Sequence, residues 1–207
     1  RKKLGLLNVD NAVSGAAPIS PEILRFFMSI GVPIYEGYGM TENSAIATGN
    51  TPDKVKLGTV GTPQAGTEIK LAEDGEILVR HPGVFLGYYK NEEATKEVLD
   101  SDGWLYTGDV GEYDGEFLKI IDRKKDIIIT SGGKNVSPSE IENNIKTSPF
   151  IKEAIVIGDD RKFLSALIGI EYDIVSNWAL RKNIAHTTYR NLSENEEVQN
   201  LIWEEIQ

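Results

Sequence analysis

The sequence predicts a chain in several parts: an α/β unit, a small antiparallel β subdomain and an α+β C-terminal domain. Three observations lead to this fold class. The first section reads strand, helix, strand; the middle section consists of short strands separated by glycine turns; and the last section returns to helical periodicity. We place the parts at residues 1–57, 58–121 and 122–207, with the boundary in the charged segment 122–126.

The first part is predicted to be a βαβ-like unit. Its first strand covers Val9 to Val13, and the small residues of Ser14-Gly15-Ala16-Ala17-Pro18 form the turn that follows. Ser20 and Pro21 then fit the cap and the first position of a helix, which Gly31 ends.

The second strand of this unit, Val32 to Tyr35, leads into the segment Tyr38-Gly39-Met40-Thr41-Glu42. Open α/β sheets bind ligands at the carboxyl ends of their strands, so this segment and the turn after the first strand are candidate binding segments. Alone, the segment is weak evidence, because a strand that ends in a polar glycine turn is common.

The remaining elements follow from alternation, turns and caps. In the middle part, strands are predicted at Thr67–Leu71, Glu76–Arg80, Gly103–Asp109 and Phe117–Ile121. In the last part, the capping box Ser137-Pro138-Ser139-Glu140 predicts a helix to about Lys146, and further elements are predicted at Ala154–Ile157, Leu164–Glu171, Ile174–Lys182 and from Ser193 onward. We interpret four aromatic residues as core-facing positions of helices: Phe26, Phe27, Trp178 and Trp203.

Composition and charge exclude several classes of protein. The 207 residues carry 22 basic and 32 acidic side chains, a net charge of -10, which argues against a general binder of nucleic acid or anionic membranes. There is no cysteine, which excludes disulfides, thiolate metal sites and cysteine nucleophiles. No apolar run approaches the ~20 residues of a membrane-spanning helix.

Five polar residues carry candidate chemistry, and three of them also have a plainer structural alternative. Tyr38 could stack on a base or be a half-buried core tyrosine, and Thr41 could bond a phosphate. Glu42 could bind magnesium or be a surface acid. Asp109 could grip a ribose diol or close a turn, and Arg123 could add a charge-assisted bond to the same sugar or to a phosphate.

Two other readings of the sequence fail. One segment resembles a phosphate-binding loop, Thr130-Ser131-Gly132-Gly133-Lys134. A Walker loop, however, needs Gly where this chain has Ile128 and Ser or Thr where it has Asn135. The two histidines, His81 and His186, have no Ser or Cys with an Asp around them in the sequence, as a catalytic triad would need, so we assign them no chemistry.

Taken together, the segments resemble the adenylate-forming, or AMP-binding, superfamily, which includes acyl-CoA synthetases, luciferases and adenylation domains of peptide synthetases. The matching stretches occur in the family's order: Ser14 to Pro18; Tyr38 to Glu42; Gly61-Thr62-Pro63 with Gly66; Gly75 to Arg80 and on to Gly87-Tyr88-Tyr89; Trp104 to Asp109; Asp122-Arg123; and Gly132-Gly133 to Glu140-Ile141-Glu142. The run from Gly158 to Ile168 is most similar to long-chain fatty acyl-CoA synthetases.

The resemblance implies a role for each matching residue. The adenine wall is Gly15, Ala16 and Ala17 with Glu36 and Gly37; Tyr38 stacks on the ring; and Asp109 and Arg123 hold the ribose. Thr41 and Glu42 are the implied catalytic residues, which bond the α-phosphate and hold Mg²⁺. Lys125 is similar to the hinge about which a mobile C-terminal domain swings, and Ser131, Gly132 and Gly133 resemble the loop that contacts CoA.

The implied activity is that of an acid–thiol ligase that uses ATP, Mg²⁺, a fatty acid and CoA. Two expectations concern the ends of the chain: the family's phosphate loop lies before Arg1, and its catalytic lysine lies after Gln207. We therefore expect a fragment, incomplete at its C-terminus, that does not catalyse either half-reaction by itself. The resemblance also implies a cytoplasmic enzyme and leaves open peripheral membrane contact, acyl chain length, domain orientation and oligomeric state.

Two alternatives stay open. The first is another acyl- or aryl-acid adenylating ligase, because most acyl-pocket residues are expected upstream of Arg1. The second is a non-catalytic nucleotide-binding or interaction module of the same fold.

Overall fold

In the computed structural model, which describes residues 1–207, the chain begins with a βαβ unit. Strand β1 (Ala12–Ser14) pairs in parallel with β2 (Ile34–Tyr38), and helix α1 (Pro21–Ser29) connects them. Ser20 Oγ accepts a hydrogen bond from the Glu22 amide at 3.2 Å, which confirms the predicted cap. Both strands start and end later than predicted, and Tyr38 is therefore the last residue of β2.

Two short strands extend this first sheet. β3 (Thr48–Gly49) pairs antiparallel with β2, and β4 (Thr62–Pro63) pairs antiparallel with β3, giving the order β1-β2-β3-β4. A Cβ at Gly61 would lie 1.9 Å from the Gly49 carbonyl carbon, so only glycine lets the chain enter β4 here. Although β4 lies in the segment predicted as the β subdomain, it belongs to the first sheet.

The second sheet is an antiparallel meander of four strands. Its members, in both chain order and sheet order, are β5 (Glu68–Leu71), β6 (Glu76–Arg80), β7 (Leu105–Asp114) and β8 (Phe117–Arg123). Buried Ile77, Val79 and Leu118 from this sheet form one core cluster with Tyr38 and Ala47. The sheet therefore packs against the end of β2, where the candidate residues begin.

Helix α2 (Glu92–Val98), which the sequence reading missed, lies between β6 and β7. Asn91 Oδ1 caps it by accepting a hydrogen bond from the Ala94 amide at 3.1 Å. The helix buries no residue completely, so it has no apolar stripe by which it could have been recognised.

The chain divides into two compact units, 1–125 and 126–207. The second unit contains the hairpin β9 (Ile128–Ile129) and β10 (Asn135–Val136), helix α3 (Pro138–Ile145), the antiparallel pair β11 (Ile151–Ile157) and β12 (Ser165–Ile170), and helices α4 (Tyr172–Arg181), α5 (Tyr189–Ser193) and α6 (Glu196–Ile206). Ser137 Oγ caps α3 by accepting from the Glu140 amide at 3.2 Å, as predicted.

Two details of the second unit and one of the first correct the sequence-based prediction. The helix expected from Ser193 onward begins instead at Glu196, after the Asn195 cap, and Ser193 ends a separate helix. Trp178 packs against the core as predicted. Trp203 is 63% exposed and, in the first unit, Phe26 is 57% exposed, so the core-facing interpretation was wrong for both. No helix is of sufficient length and hydrophobicity to cross a membrane.

Candidate functional site

Strand β2 ends at Tyr38, and a tight turn then carries Thr41 and Glu42. A Cβ at Gly39 would lie 2.2 Å from the carbonyl carbon of Ala45, so the two chain segments can approach this closely only with glycine. Ala45 itself has a left-handed backbone, with φ of 62°. Thr41 is consequently presented at an exposed position and Glu42 at a half-buried one.

Three predicted residues meet at a single carboxylate. Asp109 and Arg123 are directly paired across β7 and β8, and Arg123 Nε lies 2.9 Å from Asp109 Oδ1. The Tyr38 hydroxyl donates to the other oxygen, Oδ2, at 2.6 Å. Tyr38 is 8% exposed, so its ring is a core residue that presents little surface and its hydroxyl is a fixed donor.

Burial sets the ionisation of this cluster. It raises the pKa of Asp109 above its ordinary value, although the hydrogen bond from Tyr38 and the charge of Arg123 act in the opposite direction. Burial also raises the pKa of Tyr38, and the adjacent Asp109 charge adds to that effect. The tyrosine therefore stays protonated and donates its hydrogen to the carboxylate.

The backbone at Asp109 is held by a second, buried acid that the sequence reading did not single out. Gly108, which has φ of 72°, donates its amide hydrogen to Glu76 Oε1 at 2.9 Å. Lys124 Nζ lies 2.8 Å from Glu76 Oε2 and 2.6 Å from Asp74 Oδ2. These two hydrogen bonds raise the pKa of Lys124, and the bond to Asp74 has the larger effect. The positive charge of Lys124 thus neutralises the Glu76 carboxylate, which accepts the hydrogen bond from Gly108.

The turn of small residues lies beside β2. A Cβ at Gly15 would lie 3.1 Å from the Gly37 carbonyl oxygen, so the turn packs closely on the strand. Ala16 and Ala17 are exposed, and Ala16 has φ of 66°. Burial raises the pKa of Glu36 to about 7, and one of its carboxylate oxygens is buried without a hydrogen-bond partner. The turn of small residues thus lies against the part of β2 that contains Glu36 and Gly37, and the five residues stay a predicted adenine wall.

Glu42 is held by a loop that follows β6. The Tyr88 hydroxyl donates to Glu42 Oε1 at 2.8 Å, and the Phe85 amide donates to the Glu42 carbonyl at 2.8 Å. The structure contains no group of three or more acidic or histidine side chains that could hold a metal ion. A magnesium ion at Glu42 would therefore need phosphate oxygens and water to complete its coordination, a ligand set that Mg²⁺ commonly uses. The chemistry of the residues fits that group.

The remaining predicted residues lie at the unit boundary and in the second unit. Lys125 is exposed and is the last residue of the first unit, inside the segment predicted as a hinge. Ser131, Gly132 and Gly133 occupy the exposed tip of the β9–β10 hairpin, where the Gly133 amide donates to the Thr130 carbonyl at 2.8 Å. Their roles, like those of the other site residues, stay predictions.

Family models match segments in both units. A family model described as AMP-binding enzyme matches residues 2–89, and one described as AMP-binding enzyme C-terminal domain matches residues 125–207. The chain belongs to the AMP-binding enzyme family. Its AMP-binding part contains Tyr38, Thr41 and Glu42, and the match to the C-terminal domain begins at Lys125.

Curated relatives of this AMP-binding chain are fatty-acid–CoA ligases. FadD15, a long-chain-fatty-acid–CoA ligase of Mycobacterium bovis, is 44% identical over 177 residues, which cover 85% of this chain and 29% of the relative. Long-chain-fatty-acid–CoA ligase 6 of Mus musculus is 41% identical over 213 residues, covering 96% of this chain and 30% of the relative. The chain thus spans about a third of the length of the curated relatives it matches.

Solved structures with the same fold include enzymes crystallised with nucleotides. The O-succinylbenzoate-CoA synthetase of Bacillus subtilis, solved with AMP and with ATP and magnesium, is 32% identical, with a TM-score of 0.72 over 82% of this chain and 39% of the other. An anthranilate-CoA ligase in complex with anthranoyl-AMP is 25% identical, with a TM-score of 0.73 over 94% of this chain and 37% of the other. The mixed α/β fold class predicted for this AMP-binding chain is confirmed.

Proposed function

We propose that the chain is the C-terminal part of an ATP-dependent long-chain fatty-acid–CoA ligase. The observation that carries the proposal is the convergence of Tyr38, Arg123 and Asp109, because a buried carboxylate held by a tyrosine hydroxyl and flanked by an arginine is suited to binding a ribose diol. The identity to long-chain ligases over most of the chain supports the acyl class.

In this proposal the first unit binds and orients the nucleotide. Asp109 and Arg123 hold the ribose, the wall from Gly15 to Ala17 and at Glu36 and Gly37 surrounds the adenine, and Tyr38 borders it. Thr41, exposed at the turn, donates to the α-phosphate, and Glu42 holds Mg²⁺. When bound, the magnesium ion neutralises phosphate charge.

The proposed reaction has two steps, adenylation of the fatty acid and transfer of the acyl group to CoA. A carboxylate oxygen of the fatty acid bonds to the α-phosphorus of ATP, and pyrophosphate leaves. The sulfur of CoA then bonds to the acyl carbon, AMP leaves, and the thiol proton is released. The residues of this chain contribute positioning and charge stabilisation, because none of them forms a covalent bond to the substrate.

The second unit serves the second step in this proposal. Rotation at Lys125 brings the C-terminal domain into a second orientation, and Ser131, Gly132 and Gly133 then border the pantetheine arm of CoA. The three predicted domains, at residues 1–57, 58–121 and 122–207, correspond in this proposal to the nucleotide wall, the ribose-binding sheet and the mobile domain. Cytoplasmic location stays a prediction, and peripheral membrane contact stays open.

A thioester assay with the full-length protein that contains this chain tests the proposal. The protein is incubated with ATP, Mg²⁺ and CoA together with acids of 4 to 20 carbons or benzoate, and acyl-CoA is measured by mass spectrometry. We expect the highest kcat/KM for the long fatty acids. A preference for benzoate would support the aryl-acid alternative, and nucleotide binding without any thioester would support the non-catalytic module.

A further inference from the structure

The segment 83–88, here called the brace, is attached to the turn that carries Glu42. Ser44 Oγ donates to the Gly83 carbonyl at 2.7 Å, and the Phe85 amide donates to the Glu42 carbonyl at 2.8 Å. The two hydrogen bonds join segments that are about 40 residues apart in the chain. The brace therefore fixes the backbone of the turn from outside it.

Tyr88, the last residue of the brace, contacts the Glu42 side chain itself. Its hydroxyl donates to Glu42 Oε1 at 2.8 Å, and its ring packs edge-on against Phe85, with centroids 4.9 Å apart. The Tyr88 amide donates to Thr95 Oγ1 of α2 at 2.9 Å. Gly87, with φ of 140°, permits this approach, since a Cβ there would lie 2.6 Å from Thr95 Cγ2. The backbone of Tyr88 is thus held by helix α2, and its ring is held by an aromatic neighbour.

We propose that Tyr88 is a positioning residue for Glu42. The Tyr88 hydroxyl holds Oε1 of Glu42 and leaves Oε2 of Glu42 to ligate the cation that accompanies ATP. The inference rests on the proposed function, in which Glu42 holds Mg²⁺. A glutamate side chain has three rotatable bonds, and the Tyr88 hydrogen bond restricts them before the ligand arrives.

Loss of this hydrogen bond is expected to weaken metal binding more than folding. Tyr88→Phe keeps the ring that packs on Phe85 and removes only the donor. Partners that orient a metal ligand are typically worth 10–100-fold in metal affinity, and Tyr88 is 38% exposed, so we expect the low end, about tenfold. Tyr89→Phe is the matched control, because it removes the same hydroxyl one residue later, from a side chain that is 88% exposed.

The experiment measures Mn²⁺ affinity directly, in the full-length protein with a non-hydrolysable ATP analogue, from the EPR signal of free Mn²⁺. Free-Mg²⁺ dependence of ATP–pyrophosphate exchange is measured in parallel. We expect about tenfold weaker Mn²⁺ binding and a similar rise in half-saturating Mg²⁺ for Tyr88→Phe, and no change for Tyr89→Phe. In a Glu42→Gln background, Tyr88→Phe should have no further effect on metal affinity.

Several results would overturn the inference. Unchanged metal affinity in Tyr88→Phe contradicts it, as does a lowered Tm without a metal effect, which would make Tyr88 merely structural. If Tyr88→Phe does not fold, Ser44→Ala removes another link of the brace and should weaken Mn²⁺ binding in the same direction; no effect there contradicts the inference. A wild-type protein that binds Mn²⁺ and ATP but forms no thioester refutes the proposed function alone, whereas one that binds no metal refutes both.

Discussion

Arg123 Nε lies 2.9 Å from Asp109 Oδ1, yet the two side chains differ greatly in exposure, at 50% and 8% respectively. The carboxylate is anchored in the interior, where Tyr38 holds its second oxygen at 2.6 Å, and the guanidinium reaches it from the surface. A ligand can therefore displace or join the arginine without disturbing the aspartate. The asymmetry is consistent with the proposed ribose site, because it combines a fixed acceptor with an adjustable donor.

Replacement of the fixed acceptor should weaken nucleotide binding. Asp109→Asn keeps the side chain's shape and an acceptor for Tyr38 but removes the charge. Hydrogen bonds to charged groups contribute about 1.5–3 kcal/mol, so we expect a Kd for ATP roughly 10–100-fold higher in the full-length protein. Asp114→Asn is the control, since Asp114 pairs with Lys56 at an exposed position. Equal effects of the two substitutions in equilibrium ATP binding would refute the assignment.

Glu36, a half-buried acid that we predict to border the adenine, should give the protein a specific pH dependence. Burial raises the pKa of Glu36 from about 4.5 to about 7, so the folded state binds more protons than the unfolded state in that interval. The contribution of Glu36 to stability is thus greatest at low pH and is lost as pH rises to about 7. Glu36→Gln stays neutral, so its Tm relative to wild type should increase over this range.

Thermal unfolding of the full-length protein between pH 4.5 and pH 8.5 checks this prediction. Glu73→Gln, at an exposed position, supplies the control for loss of one acidic side chain. A difference in Tm between Glu36→Gln and wild type that is flat across the interval would show that Glu36 does not titrate as described.

The turn after β2 should tolerate no side chain at Gly39. A Cβ there would lie 2.2 Å from the Ala45 carbonyl carbon, so Gly39→Ala must move the turn that carries Thr41 and Glu42. A misplacement of about 1 Å can cost roughly 100-fold in rate, and we expect a loss of that order in ATP–pyrophosphate exchange. Gly169→Ala is the control, because its Cβ would make ordinary contacts at 3.5 Å. Wild-type exchange by a folded Gly39→Ala variant would contradict the structure of the turn.

If Lys125 is the hinge that we propose, substitutions there should affect the two half-reactions differently. Proline fixes φ, so Lys125→Pro should block rotation at the unit boundary, whereas Lys125→Ala should permit it. We expect Lys125→Pro to retain acyl-adenylate formation and to lose roughly 100-fold in transfer to CoA. Single-turnover measurements of each step would test this, and equal losses in both steps would argue against a hinge.

Local signals predicted a large part of the fold. The caps at Ser20 and Ser137 and the strand Glu76–Arg80 are confirmed because neighbouring residues determine them. Strands of two residues, such as β3 and β4, were missed because only their distant partners define them. The wrong inward assignment of Phe26 and Trp203 has a similar cause, since the pattern of a short amphipathic helix does not show how wide its buried face is.

The candidate site was predictable as a set of residues but not as a geometry. Asp109 and Arg123 were recognisable from motifs, and the register of β7 and β8 brings them together. Tyr88 lies in a recognised motif, yet its contact with Glu42 spans 46 residues and depends on how the brace folds. The role of Glu76 could not be predicted either, because its contacts with Gly108 and Lys124 appear only in the folded chain.

We propose that the residues around Asp109 bind the ATP that activates the fatty acid, and ATP–pyrophosphate exchange tests this role most directly. The full-length protein is assayed without CoA, with and without hexadecanoic acid, alongside Asp109→Asn at low ATP. We predict exchange that requires the fatty acid and that falls in the variant. Nucleotide binding with no acid-dependent exchange, or exchange unaffected by Asp109→Asn, would contradict the account.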